Sequence, residues 1–194
     1  MKVFLIENNG LVRRHDNEIS WRFLADSAIS NAGKPFFIPE GEDFVELSVG
    51  FALRICRLGK TVAKKFSHRY YDSLAPVIKL VLPALKKELI EKNLSLDPAF
   101  SFDRSLFYGD FIPKEDYVPS LELSLLLNGE KVSTFSLSGM TWDFDDVISL
   151  ISKNNTLKMG DYIIPALSES IPVKEGDIVQ LISYEKELLK LKIR

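Results

Sequence analysis

Residues 48–57 read SVGFALRICR, and as a β-strand this stretch has two unequal faces. Alternation puts Val49, Phe51, Leu53 and Ile55 on one side and Ser48, Gly50 and Ala52 on the other. The first side is a core face. The second is a strip of small residues, and the reading turns on what lies against it.

Working outward, short apolar runs outnumber long helical patterns. VFLI near the start, PFFIP at 35–39, VELSVGFALRIC, VIKLVL at 77–82, LELSLLL, KVSTFSL, DYIIP and DIVQLISY all have strand length and turn-rich flanks. The chain is therefore expected to be mainly β with a few short helices, an α+β class. Asn128-Gly129 between two of these runs predicts a hairpin, because both residues tolerate the positive φ of a type I′ turn. Pro83 opens a helix in PALKKELIEKN, with Leu85, Leu89 and Ile90 on one side. A second helix is predicted in TWDFDDVISLISKNN, where Phe144, Val147, Ile148 and Ile151 recur at helical spacing and Asp143, Asp145 and Asp146 favour the N-terminal end of the dipole. VAKKFSHRYYD at 62–72 reads as a shorter third helix, and residues 93–119 as a long irregular loop. LKMGDYII and VKEGDIVQ each place Gly-Asp before an apolar run, which predicts two similar turns.

Composition narrows the function classes. With 194 residues, 46% hydrophobic and 27% charged, the chain has an ordinary globular composition, read as one domain over 1–194. Lys plus Arg total 25 against 27 Asp plus Glu, so nothing in the net charge of −2 points to a nucleic acid or an anionic membrane surface as partner. The single Cys56 excludes an intrachain disulfide and a multi-cysteine zinc site, and fits a reducing compartment, with the cytoplasm expected. The apolar run in MKVFLIENNG is too short for a secretory signal, and no segment approaches the ~20 apolar residues of a membrane span.

Several strings taken together resemble the fumarylacetoacetate hydrolase family, in particular its small single-domain members. They are HDNE at 15–18, DSAISNAGKPFFIP at 26–39, ALRICRLGK at 52–60 and KFSHRYYD at 65–72, followed by SFDRSLFYGDFIPKE, LNGEKV and ISKNNTLKMGDYII. The resemblance implies a mixed, barrel-like β-roll of several sheets, usually a homodimer. It also implies an origin among enzymes that hydrolyse, decarboxylate or isomerise acylpyruvate-like and other β-dicarbonyl compounds with Mg²⁺ or Mn²⁺.

The metal site that the resemblance implies is missing. The family's two Glu positions fall on Ser48 and Gly50, and its Asp position on Lys79. A register slipped by two residues would offer Glu46, and Asp72 is a further candidate ligand, but one carboxylate holds a hard cation poorly. Converging carboxylates without a cation repel one another and are costly to desolvate, so their joint loss is consistent. Lys79 brings a charge of its own, expected either to pair with Glu46 or Asp103 or with an anionic ligand, or to snorkel to solvent. Other pocket positions of the family depart too, reading Leu24, Phe100, Pro83, Ser133–Leu137 and Pro165-Ala166-Leu167-Ser168, whereas Phe102 and Asp103 match. His15 and Glu18 match the family's His-x-x-Glu, a base steered by a carboxylate.

Three functions follow as expectations. The leading one is a catalytically degenerate relative with no cofactor, a pseudoenzyme that binds a small 2-oxo acid or regulates an active relative. The second is a metal-independent enzyme on a small oxo acid, with Lys79 as cation or amine nucleophile, His15 as base and Glu18 as its orienter. The third is a Mg²⁺ or Mn²⁺ hydrolase with rearranged ligands.

Overall fold

The computed structural model of the chain describes residues 1–9, 19–31, 33–116, 121–138 and 140–194. In chain order it begins with strands β1 (Val3–Ile6), β2 (Trp21–Leu24), β3 (Ile29–Asn31) and β4 (Val45–Ile55). Helix α1 (Lys64–Ser67), strand β5 (Tyr71–Val81), helices α2 (Pro83–Glu91) and α3 (Asp97–Phe100), and strands β6 (Leu106–Tyr108) and β7 (Ile112–Pro113) follow. The last part carries β8 (Glu122–Leu127), β9 (Glu130–Ser136), α4 (Phe144–Asn154), β10 (Tyr162–Ile164), β11 (Ile171–Val173), β12 (Ile178–Ser183) and β13 (Lys186–Lys192).

The strands form two sheets, and the larger is curled and mixed. Its order is β2-β1-β10-β4-β5-β6-β3, with β11 added on β4 and β7 on β5. β1 runs parallel to β10 and β3 parallel to β6, while β4 and β5 form a long antiparallel ladder from Glu46↔Val81 to Ile55↔Tyr71. The second sheet has the order β13-β12-β8-β9. No helix of the described residues is long and apolar enough to cross a membrane.

The unequal faces of SVGFALRICR are real. Val45, Leu47, Val49, Phe51, Leu53 and Ile55 enter the main core, between the large sheet, the small sheet and α4, with Leu123, Leu125, Val147, Ile148, Val179 and Leu181. Ala52 belongs to a smaller cluster on the opposite face with Val77, Leu106, Val3, Leu5 and Ile164. The small-residue strip is thus a second packing face rather than a solvent face.

Local chemistry sets the ends of the elements. Asp143 caps α4, accepting from the Asp146 N–H at 2.7 Å while Asp146 returns the bond, and Lys64 bridges both carboxylates. The two Gly-Asp turns are built alike. Gly160 and Gly176 adopt φ of 84° and 93°, and Asp161 and Asp177 each accept from the N–H of a lysine three residues earlier at 2.9 Å. Asn128 and Gly129 carry the positive φ values that the hairpin requires.

Three expectations change. The helix over 62–72 is only Lys64–Ser67, because Tyr71 and Asp72 already pair with β4 as the start of β5. The segment 93–119 is not irregular throughout, since α3, β6 and β7 lie within it and the last two add to β5. PFFIP is not a strand, and Phe36 alone bridges to Ile193 beside it. Tertiary pairing overrides local pattern in each case.

Candidate functional site

The β4–β5 ladder decides which side chains meet. Its register makes Ser48 and Lys79 direct cross-strand partners, with Gly50 opposite Val77 and Ala52 opposite Ala75. Residues 48, 50 and 79 therefore come together on the outer face, as the strand alternation requires.

A crossing segment then covers one end of that strip. After β10 the chain runs over β4, bridging Gly50 to Leu167, with the Ser168 N–H bonded to the Val49 carbonyl at 2.8 Å and the Ser168 hydroxyl accepting from the Val49 N–H. A Cβ added at Gly50 would stand 2.4 Å from the Ala166 carbonyl oxygen, so only glycine allows this approach. Asn9, 2% exposed, locks the crossing. Its amide donates to the Trp142 and Pro165 carbonyls, both at 2.9 Å, and accepts from the Trp142 N–H at 2.8 Å.

What remains open is a cavity of about 300 Å³ between this crossing, β4, β5 and α3. Glu46, Ser48, Lys79, Phe100, Leu167 and Ser168 line it, together with Glu7 and Lys86. Lys79 is the only basic side chain among the described residues that is fully buried, at 1% exposure. Its Nζ donates to the Leu80 carbonyl and, at 2.6 Å, to the Phe100 carbonyl. The latter is an end carbonyl of a four-residue helix, which lacks an intrahelical partner. The rings of Phe102 and Phe100, with centroids 5.6 and 6.0 Å from Nζ, stand at the outer limit of a cation–π contact, about 6 Å.

Charge pairing around the cavity is uneven. Arg22 stacks 3.9 Å from the Phe100 ring and is bonded to Glu7 at 2.6 Å and Asp97 at 3.1 Å. Lys86 pairs with Glu46 at 3.3 Å. Lys79 has no carboxylate partner among the described residues. Burial, with a smaller push from the Arg22 charge, lowers its pKa to about 7.

The described residues at this site do not fit a Mg²⁺ or Mn²⁺ ion. Such ions require several oxygen ligands in fixed geometry, whereas the three aligned positions supply a hydroxyl, no side chain and a basic amine. The described residues hold no group of three His, Cys, Asp or Glu able to bind a metal. The Ala166 carbonyl also occupies the space that a side chain at position 50 would need. A slipped register gives no substitute: Glu46 is committed to Lys86, and Asp72 pairs with Arg54 at 2.9 Å toward the other end of β5.

Several expected placements are corrected. Lys79 pairs with neither Glu46 nor Asp103, because two backbone carbonyls satisfy it first, and it does not snorkel, because the cavity walls enclose it. Asp103 is exposed in a turn, and Phe102 packs into the main core against Phe36; neither lines the cavity. Leu24 joins the smaller core cluster, Pro83 is the first residue of α2, and Phe100 forms a cavity wall. His15 and Glu18 lie outside the described residues. Sequence reasoning missed Asn9, Arg22 and Lys86, which reach the site only through long-range folding and carry no local signal.

Comparisons with known proteins agree on the scaffold. A family profile described as fumarylacetoacetate (FAA) hydrolase C-terminal matches residues 23–165. Oxaloacetate tautomerase FAHD1, mitochondrial, from Bos taurus is 28% identical over 163 residues, covering 81% of this chain and 73% of its own. The protein of the same name from Pongo abelii is 29% identical over 181 residues, covering 86% and 80%. Fumarylpyruvate hydrolase from Pseudomonas aeruginosa, solved in complex with Mn²⁺ and pyruvate, superposes with a TM-score of 0.88 at 14% identity, covering 100% of this chain and 89% of that one. A 5-carboxymethyl-2-hydroxymuconate delta-isomerase from Mycobacterium smegmatis gives 0.85 at 18% identity, covering 99% and 78%.

Proposed function

The chain belongs to the fumarylacetoacetate hydrolase family, and from that premise we propose that it turns over small 2-oxo acids as a hydrolase or isomerase, in the cavity beneath Lys79 and without a divalent ion. One observation carries this reading: a buried amine with no carboxylate partner among the described residues stands across from Ser48, at positions that the family resemblance aligns with metal ligands. The reactions that name the relatives are tautomerisation, isomerisation and hydrolysis. Each can proceed by placing negative charge on the oxygen of an oxo group next to the carbon that loses a proton or a carbon substituent. A charge held in a low-dielectric, water-poor site stabilises that oxyanion far more than it would in water. Lys79 in its ammonium form supplies the charge. Phe100, Leu5 and Leu167 supply the apolar walls, and the Ser48 hydroxyl is a second polar group on the cavity floor. The cavity volume of about 300 Å³ is at the small end of ligand pockets, which suits a short acid.

Oxaloacetate keto–enol exchange and acylpyruvate cleavage, measured in EDTA, test this. Turnover is expected to persist in EDTA and to fall about 10²–10³-fold in kcat on Lys79→Met. Turnover that appears only with Mn²⁺ and survives Lys79→Met overturns it. A second reading, a binding or regulatory relative without activity, is favoured by the closure of Gly50 and by apolar Phe100 and Leu24 at two of the family's polar positions. A melting temperature raised by a 2-oxo acid with no turnover would select it.

A further inference from the structure

Resting on that reading, we propose that the Lys79 Nζ is a nucleophile, condensing with the oxo group of a small 2-oxo acid to form an imine that replaces the family's metal-held intermediate. Hydrogen-bond accounting supports this. A neutral amine has two N–H donors and one lone pair. The Leu80 and Phe100 carbonyls are two acceptors, one for each N–H, leaving the lone pair free on a side chain that lines the cavity. The ammonium form carries a third N–H, and no oxygen or nitrogen among the described residues accepts it. The neighbouring bases Lys86 and Arg22 each pair with a carboxylate, whereas Lys79 pairs with none among the described residues. Its pKa of about 7 leaves a large fraction of the amine neutral at physiological pH, the condition for a lysine nucleophile.

The step balances without an added reagent. Nζ adds to the C2 carbonyl carbon of R–CH₂–CO–COO⁻, and the carbinolamine loses water to give R–CH₂–C(=N–Lys79)–COO⁻. Protonation of the imine nitrogen gives an iminium, whose charge acidifies the C3–H. Loss of that proton yields a neutral enamine, reprotonation returns the iminium, and water releases the oxo acid and the amine. Exchange at C3 and tautomerisation follow with no oxidant, reductant or metal. The substrate class this implies is a 2-oxo acid with at least one hydrogen on C3.

The test uses the full chain with pyruvate as probe and sodium borohydride as trap, at pH 7 to 8. One reduced adduct per chain is expected, mapping by peptide mass to Lys79, and C3 hydrogen exchange with solvent deuterium is expected to continue in EDTA. Lys79→Arg keeps a positive charge and removes the nucleophile, so both signals should vanish in it. Absence of an adduct at Lys79, while Lys79→Arg retains turnover, overturns the imine and leaves the electrostatic reading standing. Adducts confined to surface lysines also overturn it. A wild-type chain that neither labels nor turns over any 2-oxo acid overturns both. Should Lys79→Arg fail to fold, wild-type trapping alone decides the question.

Discussion

Replacing Lys79 with Met should flatten one component of the pH dependence of stability. The folded chain holds Lys79 at a pKa of about 7, against an ordinary value of 10.5. Between those values the unfolded chain binds more protons than the folded one, so stability rises with pH through this window. Below pH 7 both states are protonated and the full burial cost of the charge is present; above 10.5 neither is, and the cost has gone. The slope in between approaches about 1.4 kcal/mol per pH unit, which integrates to about 2 kcal/mol between pH 7 and pH 9. Met leaves the Leu80 and Phe100 carbonyls without a partner, an offset of about 1–3 kcal/mol each that does not vary with pH. The informative quantity is therefore the difference between wild type and Lys79→Met as a function of pH. Urea unfolding, read by the fluorescence of Trp21 and Trp142, should show wild type gaining about 2 kcal/mol on the variant from pH 7 to pH 9. The charged groups nearest this side chain, Arg22, Lys86, Glu46 and Glu7, are present in both proteins and cancel to first order. Parallel curves, with no relative gain, would refute the claim that Lys79 is buried without a counter-ion.

Three shorter expectations accompany it. A melt series with Mn²⁺, Mg²⁺ and EDTA should be flat, because a cation that binds the native state would raise stability by mass action; a saturable rise with Mn²⁺ is the opposing result. Asn9→Ala should cost about 1–3 kcal/mol, since it leaves buried polar groups of Trp142 and Pro165 unpaired, and should also raise KM by loosening the 165–168 crossing; unfolding and KM measured together check both parts. Asp143→Ala removes the cap of α4 and should cost about 1 kcal/mol with no change in turnover, which separates scaffold stability from the site.

Much of the scaffold was legible because local chemistry and tertiary context agree there. Asn128-Gly129, Pro83 and the aspartates before Phe144 mark a turn and two helix starts that need no distant partner to form. The grouping of Ser48, Gly50 and Lys79 was legible only through the family resemblance, which aligns all three with its metal positions; the β4–β5 ladder then sets Ser48 directly opposite Lys79. The acceptor for Lys79 was not legible. The Phe100 carbonyl comes from a single helical turn inside a stretch rich in Ser, Asp and Pro, and its position depends on the packing of α3 over β5. Nor was the occupant of the small-residue strip. Gly50 meets the Ala166 carbonyl across more than a hundred residues of chain, and nothing in PALS announces that its backbone will lie on a strand.

The energetics of Lys79 bear on whether this cavity is a working site or a remnant. A buried amine without a counter-ion lowers native stability near and below neutral pH by up to about 5 kcal/mol relative to its unfolded reference, a large part of the roughly 5–15 kcal/mol that holds a domain together. A chain that had only lost its ion would be relieved by an apolar side chain at 79, because filling such a position with a hydrophobe of similar volume is often neutral or stabilising. Val77 and Val81 occupy the flanking positions of the same strand face. A buried basic group with no counter-ion among the described residues, held at such a cost, is the pattern expected when local destabilisation is the condition for reactivity. The cost also fixes what the group can do: the desolvation that weakens the fold is the same desolvation that frees the lone pair. Reactivity and instability at Lys79 must therefore move together. Any substitution that raises its pKa, such as placing a carboxylate at Ser48, should stabilise the chain below pH 9 and at the same time slow imine formation at neutral pH. Stabilisation without loss of trapping would break that link.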